Sequence, residues 1–269
     1  EYSRPFKQIL DEVKYLEDRG TKEIILLGQN VNAYESENYK LSNLILEIEK
    51  ISGIKRIRYT TSHPKDMSKD LIQVYKHSKK LMPLVHLPIQ SGSNRILNLM
   101  NRKHSVDEYL NIYDELKMIN PKIKFSSDFI IGYPGENQED FMNTLKLIDR
   151  IEFINSYSFI FSPRPGTVAA DLKTIDRKIS SERLKKIQDQ LFENQIKMNK
   201  SLEDKIINVL VTNLSDNKTK FFGRSEYMTP VLFEGKKEDI GKIIPVKITH
   251  SNRSSLFGET IDILNQKVA

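Results

Sequence analysis

The 269-residue chain contains no cysteine. That absence excludes a disulfide framework, so nothing points to secretion and no disulfide-linked partner is expected. It also leaves no thiolate to hold an iron–sulfur cluster. No apolar run approaches the roughly 20 residues that a membrane helix needs. The opening Glu1-Tyr2-Ser3-Arg4-Pro5 is no signal peptide. The expected location is the cytoplasm, without a membrane partner. Catalytic signatures are missing too: no lysine stands at a strand end as a Schiff-base candidate, and no carboxylate pair or metal triad is recognisable. His63 precedes a proline in a loop and His86 lies in a strand, places where a lone histidine is a hydrogen-bonded packing residue more often than a ligand. No catalytic residue and no metal ligand is therefore assigned.

What is present is a soluble composition, with 38% hydrophobic residues, and enough length for one large domain or two. The net charge of +6 is unevenly spread. Residues 1–176 hold 25 Lys and Arg against 24 Asp and Glu, whereas residues 177–200 hold 7 against 3, and residues 204–269 hold 10 against 8. A basic stretch of this kind suits a polyanion such as RNA; a solvated lysine-rich helix would look the same.

Strand and helix signals alternate regularly through residue 176. Ser3 and Pro5 predict a helix start, with the helix running to Arg19 and ending at Gly20. Strands are expected at Glu23–Leu27, Arg56–Thr61, Leu84–Leu87, Lys124–Ile131 and Asn155–Phe161. Helices are expected at about 42–51, from His63-Pro64 through Lys79, from the Ser105…Glu108 capping box to about Asn120, and at Asn137–Ile151. The fold class is α/β, with parallel strands buried on both faces. The series opens on a helix where a βα series should open on a strand, so a first strand and its loop are expected to precede Glu1. Tyr157, Phe159 and Phe161, at period two, are expected in the core. From Ser180 to Lys200 one amphipathic helix is predicted, with Leu184, Ile187, Leu191 and Ile196 roughly on one face. Short alternating strands follow at Ile206–Val211, Lys220–Arg224, Val231–Phe233, Ile243–His250 and Leu256–Ile263, punctuated by Asp216-Asn217, Gly235 and Gly241. They suggest a small antiparallel β-barrel.

Five segments in one order carry a family resemblance: Leu26–Tyr34 (LLGQNVNAY), Arg58–Pro64 (RYTTSHP), His86–Asn94 (HLPIQSGSN), Ser127–Glu136 (SDFIIGYPGE) and Phe161–Thr167 (FSPRPGT). Together they resemble the radical S-adenosylmethionine methylthiotransferases. The first and last are similar to the MiaB branch, which adds a methylthio group to a prenylated adenosine beside the tRNA anticodon. Residues 204–264 resemble the TRAM domain, an RNA-binding barrel, through Gly223-Arg224-Ser225-Glu226 and Ser255–Glu259; Tyr227–Pro230 replaces a more polar stretch. The resemblance implies three parts: an incomplete radical SAM (β/α) barrel over 1–176, a basic linker helix over 177–203 and a TRAM-like barrel over 204–269. It implies S-adenosyl-L-methionine and [4Fe–4S] clusters as cofactors of the complete enzyme, tRNA as partner, and a cysteine-bearing N-terminal portion that is cut off or separately encoded. Without cysteine the chain alone is expected to be inactive.

On the same basis Gly28, Gln29 and Asn30 are expected to hold the amino-acid part of S-adenosylmethionine, and Gln90 and Ser91 its ribose or carboxylate. Asp128 is expected near the mouth, with Ile130 and Gly132 on or near the adenine. The bland readings stay open: a turn at Gly28-Gln29-Asn30, and helix capping by Ser91 or Ser93. RNA contacts are expected at Arg164, Lys185, Lys186, Lys220, Arg224, Lys242 and Arg253, with Phe221, Phe222 or Tyr227 stacking on bases. Arg164 has a structural salt bridge as its competing reading, and the barrel residues an ordinary core and soluble rim. Three functions compete: the C-terminal part of a tRNA methylthiotransferase, a stand-alone RNA-binding remnant without catalysis, and a cluster-independent barrel enzyme such as an aldolase, against which the missing lysine, carboxylate pair and metal triad count.

Overall fold

A computed structural model describes residues 2–215 and 220–261. Pro5 leads into α1 (Phe6–Glu17), and the chain turns away through Gly20 at a φ of +88°, a conformation open to glycine. Then come β1 (Glu23–Leu26), the hairpin β2 (Glu35–Ser36) and β3 (Tyr39–Lys40), α2 (Leu41–Glu49), β4 (Arg56–Tyr59) and α3 (Lys69–His77). The series continues with β5 (Leu84–His86), α4 (Asn94–Leu99), α5 (Val106–Ile119), β6 (Lys124–Ser126), β7 (Asp128–Ile131), α6 (Gln138–Ile151) and β8 (Tyr157–Ile160). Capping boxes at Ser105/Glu108 and Asn137/Asp140 start α5 and α6. Two expected elements differ. The strand over 124–131 breaks at Ser127, where the hydroxyl accepts the Ile89 amide. His63-Pro64 opens a short 3-10 turn, and α3 starts only at Lys69.

β1 pairs with β4, β5 with β6 and β7 with β8, all parallel. Single parallel bridges, Ile57 to Leu81 and Gln90 to Phe129, join the three pairs into one series. Helices cover its outer face, where Ile57, Val85, Phe125, Phe129 and Ile131 pack with Ile45, Leu71, Tyr109, Phe141 and Ile148. Side chains alternate along a strand, so the residues between these point to the inner face. Asp128 and Ile130 lie there, in register with Tyr157 and Phe159. This corrects the expectation of a core role: Tyr157 is 62% and Phe159 55% exposed. Phe161 is half-buried, edge-on to Tyr133.

α7 (Arg177–Lys200) starts three residues earlier than expected, because the Asp176 carboxylate accepts the Lys178 and Ile179 amides. Ile187 and Leu191 are buried as expected, whereas Ile196 is exposed. Five strands then close a barrel in the order β10-β11-β13-β12-β9: β9 (Ile206–Leu214), β10 (Phe221–Arg224), β11 (Pro230–Glu234), β12 (Ile243–Ser251) and β13 (Leu256–Thr260). It is not wholly antiparallel, since β11 and β13 run parallel. The expected turn at Asp216-Asn217 and the expected strand end at Ile263 lie outside the described residues.

The small barrel docks on the amino ends of the parallel strands. Arg56 donates to the carbonyls of Arg224 (3.0 Å) and Asn208 (2.8 Å), and Arg58 to those of Glu226 (2.8 Å) and Ser225 (3.1 Å). Both guanidiniums are buried beside Glu23, at 3.7 and 3.1 Å. Tyr227 donates to the Lys122 carbonyl before β6 and accepts Asn155 from before β8 on its own carbonyl. The carboxyl ends of the strands stay open.

Candidate functional site

The open end is built from the loops after β1, β4, β5, β7 and β8, where α/β folds leave backbone groups free for ligands. Asn32 stitches the first two loops together: its amide accepts the His63 N–H and donates to the His63 carbonyl, each at 2.8 Å. Beside it Gly28 and Gln29 are exposed. Asn30 donates to Asp66 at 2.7 Å, while its Oδ1 is buried without a partner. These residues line a slot of about 730 Å³ between α1 and β1.

Gln90 is buried at a φ of +76°, and Thr61, in the loop after β4, stands at +64°. The Gln90 N–H donates to the Asp128 carbonyl and its carbonyl accepts the Ile130 N–H, both at 3.0 Å. The structure thus brings Gln90, Asp128 and Ile130 together. The Asp128 carboxylate lies 3.8 Å from His86 Nε2, and His86 Nδ1 meets the Ser126 hydroxyl at 2.9 Å. Burial pushes the Asp128 carboxyl up and the His86 imidazole down, and their mutual attraction opposes both shifts. Arg102, also lowered by burial, adds its positive charge towards Asp128. Sequence reasoning missed Arg102 and His104, because nothing in Asn101-Arg102-Lys103-His104 distinguishes an inward arginine from a surface one.

Two predicted residues serve the packing. Ser91 is fully buried; its hydroxyl accepts the Ser93 amide at 3.2 Å and faces Thr144 of α6. Gly132 has a φ of +72°, and a Cβ there would lie 2.5 Å from Ser180 Oγ of α7. Its N–H donates to Glu136, which Arg183 of α7 holds at 2.7 Å.

Six buried side-chain polar atoms have no partner among the described residues, and three of them, Asn30 Oδ1, Ser62 Oγ and His104 Nδ1, lie on this rim. Buried polar atoms are normally paired, so a ligand with donors and an acceptor fits the rim. No group of three or more His, Cys, Asp or Glu side chains placed for a metal ion occurs among the described residues.

His104 packs edge-on against His63, and its Nε2 donates to the Ile89 carbonyl. Burial first, then the His63 charge, lowers its pKa to about 4. The unfolded chain takes up a proton near the ordinary value of 6.5 that the folded chain refuses. Stability is therefore expected to be unaffected above that value and to fall as pH drops towards 4, by about 1–2 kcal/mol. Urea midpoints of wild type and His104→Gln at pH 7 and 4.5 check this: the variant should lose less on acidification, and an equal loss would refute it.

The predicted RNA residues are scattered. Arg164 is exposed, on a loop where its carbonyl accepts Thr167. Lys185 pairs with Asp189 at 2.7 Å; Lys186 and Lys242 are exposed. Lys220 lies over the Phe257 ring, Arg224 over Phe222 while donating to the Met228 carbonyl, and Arg253 over Phe192 of α7. Phe221 is half-buried, packed beside Phe233. Tyr227 is buried in the junction between the two barrels, which corrects the expectation that it stacks on bases.

Among the described residues no helix is long and apolar enough to cross a membrane. Residues 1–148 match the model of the Radical SAM superfamily and residues 200–261 that of the TRAM domain. The tRNA-2-methylthio-N(6)-dimethylallyladenosine synthase of Pelagibacter ubique is 62% identical over the whole chain, which covers 61% of that protein. Its counterpart in Anaplasma phagocytophilum is 44% identical, with 98% of this chain and 62% of that one covered. The chain thus spans about three fifths of the length of these curated relatives. Among solved structures, coproporphyrinogen III oxidase from Escherichia coli superposes with a TM-score of 0.52 at 12% identity, over 94% of this chain and 64% of that one. Methylornithine synthase does so at 0.50 and 16%, over 72% and 54%. At such identities the likeness concerns the fold alone. Enzymes of this kind use S-adenosylmethionine with a [4Fe–4S] cluster, and none of the cluster's thiolates is in this sequence. Parallel βα units open at their carboxyl ends, and a family match over more than half the length, place the chain in the Radical SAM superfamily.

Proposed function

We propose that this chain forms the S-adenosylmethionine-binding and RNA-binding parts of a tRNA-2-methylthio-N(6)-dimethylallyladenosine synthase. On this reading 1–176 is the partial barrel, 177–203 the linker and 204–269 the TRAM-like module, acting in the cytoplasm. The cysteines come from an N-terminal portion, joined to it or separately encoded. The observation that carries the reading is 62% identity to such a synthase along the entire chain.

Gly28, Gln29, Asn30, Gln90, Asp128 and Ile130 would hold S-adenosylmethionine, with Ser91 and Gly132 supporting them through backbone and packing. The unpaired Asn30 Oδ1 accepts a donor from the ligand. When bound with its cluster the cofactor supplies radical chemistry; no residue of this chain suits the cluster itself, so no step is assigned to it. Asp128 and His86 place a carboxylate and an imidazole side by side at the inner face. Ile130, Tyr157 and Phe159 offer an apolar wall there, suited to a base that carries an apolar substituent. Arg164, Lys185, Lys186, Lys220, Arg224, Lys242 and Arg253 are the candidate phosphate contacts.

The test is a fusion of this chain to the N-terminal portion of the Pelagibacter ubique relative, expressed in a bacterium lacking the modification. Mass spectrometry of tRNA nucleosides should show the 2-methylthio group with the fusion and none with the chain alone. A folded, tRNA-binding fusion that leaves the nucleoside unmodified would defeat the proposal in favour of a non-catalytic RNA-binding remnant.

A further inference from the structure

The closed barrel fills its interior with one set of alternating residues, among them Gly223, Val231 and Leu256. The residues beside them point outward. On four adjacent strands those neighbours fall into one row by register: Phe222 on β10 opposite Leu232 on β11, Leu232 opposite Phe257 on β13, and Phe257 opposite His250 on β12. The row adds nothing to the interior, yet it is organised. The His250 ring is stacked on Phe257, with centroids 4.5 Å apart and planes 2° from parallel. Lys220 Nζ lies 5.7 Å from the Phe257 centroid, and the Arg224 guanidinium 5.3 Å from that of Phe222.

Outward rings with cations set over them select a ligand that alternates flat apolar faces with negative charge. Unpaired nucleotides have that pattern, with bases to stack and phosphates to pair. A duplex keeps its bases stacked inside, and an acidic peptide lacks the rings. We propose that the Phe222–Leu232–Phe257–His250 row binds single-stranded RNA by base stacking, with Lys220 and Arg224 on its phosphates. Phe222 and Phe257 lie two strands apart, about 9.5 Å, so each takes its own base. Glu234 and Glu259, opposite one another and one step further along the outward face, repel phosphate, although Lys247 stands opposite Glu259. By the same register Lys220 flanks that acidic pair and Arg224 lies on the other side of the row, so the RNA backbone crosses the row between the two cations.

This assignment rests on RNA being the partner, as proposed above, but its test needs no methylthiolation. Fluorescence anisotropy of the whole chain is measured with a labelled single-stranded oligouridylate and with an RNA duplex of equal length. The single strand should bind more tightly. Phe257→Leu keeps the apolar volume but removes the flat face, and should weaken single-strand binding about tenfold with the salt slope unchanged. Phe257→Tyr should bind like wild type. Lys220→Gln should lower the slope of log affinity against log salt by about 0.7. Equal affinity for strand and duplex, or wild-type binding by a folded Phe257→Leu, would overturn the proposal. So would no binding of the strand at all, and a fusion active on tRNA would still leave the enzymatic reading standing.

Discussion

Glu23→Gln is expected to destabilise the chain by about 3–5 kcal/mol, the usual result of leaving a buried charge without its counter-charge. Arg56 and Arg58 are both buried on the inner face, and the four carbonyls they reach on the small barrel are neutral acceptors. Glu23 is the carboxylate in contact with both, while Glu226 adds attraction from further off. Glutamine keeps the shape and removes the charge. Burial already holds both guanidiniums below their ordinary pKa, so the site has little tolerance for a weaker partner. Because the same arginines hold the small barrel, the variant should also loosen that junction, visible as faster proteolysis between α7 and β9. Urea unfolding at pH 7 decides the matter: a loss below about 1 kcal/mol, typical of exposed pairs, would mean that water reaches the cluster.

Gly92→Ala should come next, with a loss of about 3 kcal/mol, at the upper end of what overpacking costs. A Cβ at Gly92 would lie 2.5 Å from Thr144 Cα and 2.6 Å from the Asn143 carbonyl oxygen, both backbone atoms of α6. Neither atom can swing aside as a side chain can, so the loop itself must move. That loop carries Gln90, whose two main-chain bonds tie it to β7, so the strain reaches the cofactor side of the site. Gly20→Ala is the control. Its φ of +88° is also unfavourable to alanine, but nothing lies within 4 Å of the added carbon, and its cost should stay near 1 kcal/mol. Equal losses for the two variants, read from denaturant midpoints, would show that the loop yields to the added carbon at little cost.

Local signals proved readable where they are complete within a few residues. The capping box at Ser105, the helix start at Asn137 and the left-handed exit at Gly20 depend on neighbours alone. The order of parallel strands followed from apolar runs between helices. Period two at Tyr157 and Phe159 was equally clear, but alternation says that two residues share a face and not whether that face is covered. Arg56-Ile57-Arg58-Tyr59 posed the opposite problem. It looks like a strand with one face in water, and that face is sealed by carbonyls from residues 208–226. No pattern within the strand encodes that distant cover. Around the candidate site the glycines were legible as special positions, though Gly92 and Gly132 are special for helices that pack on them. Arg102 and His104 were invisible because their direction depends on how the loop after α4 folds back.

The arginine junction also bears on how the chain is made. Its partners are separated by 152 to 168 residues, so the receiving carbonyls leave the ribosome long after the guanidiniums do. At about 5–20 residues per second that delay is roughly ten to thirty seconds. During it, two cations sit in a half-built floor with Glu23 as their one nearby ally, and the parallel strands have no lid at their amino ends. Docking of the small barrel thus comes late, and any truncation before residue 226 releases a product whose floor stays open.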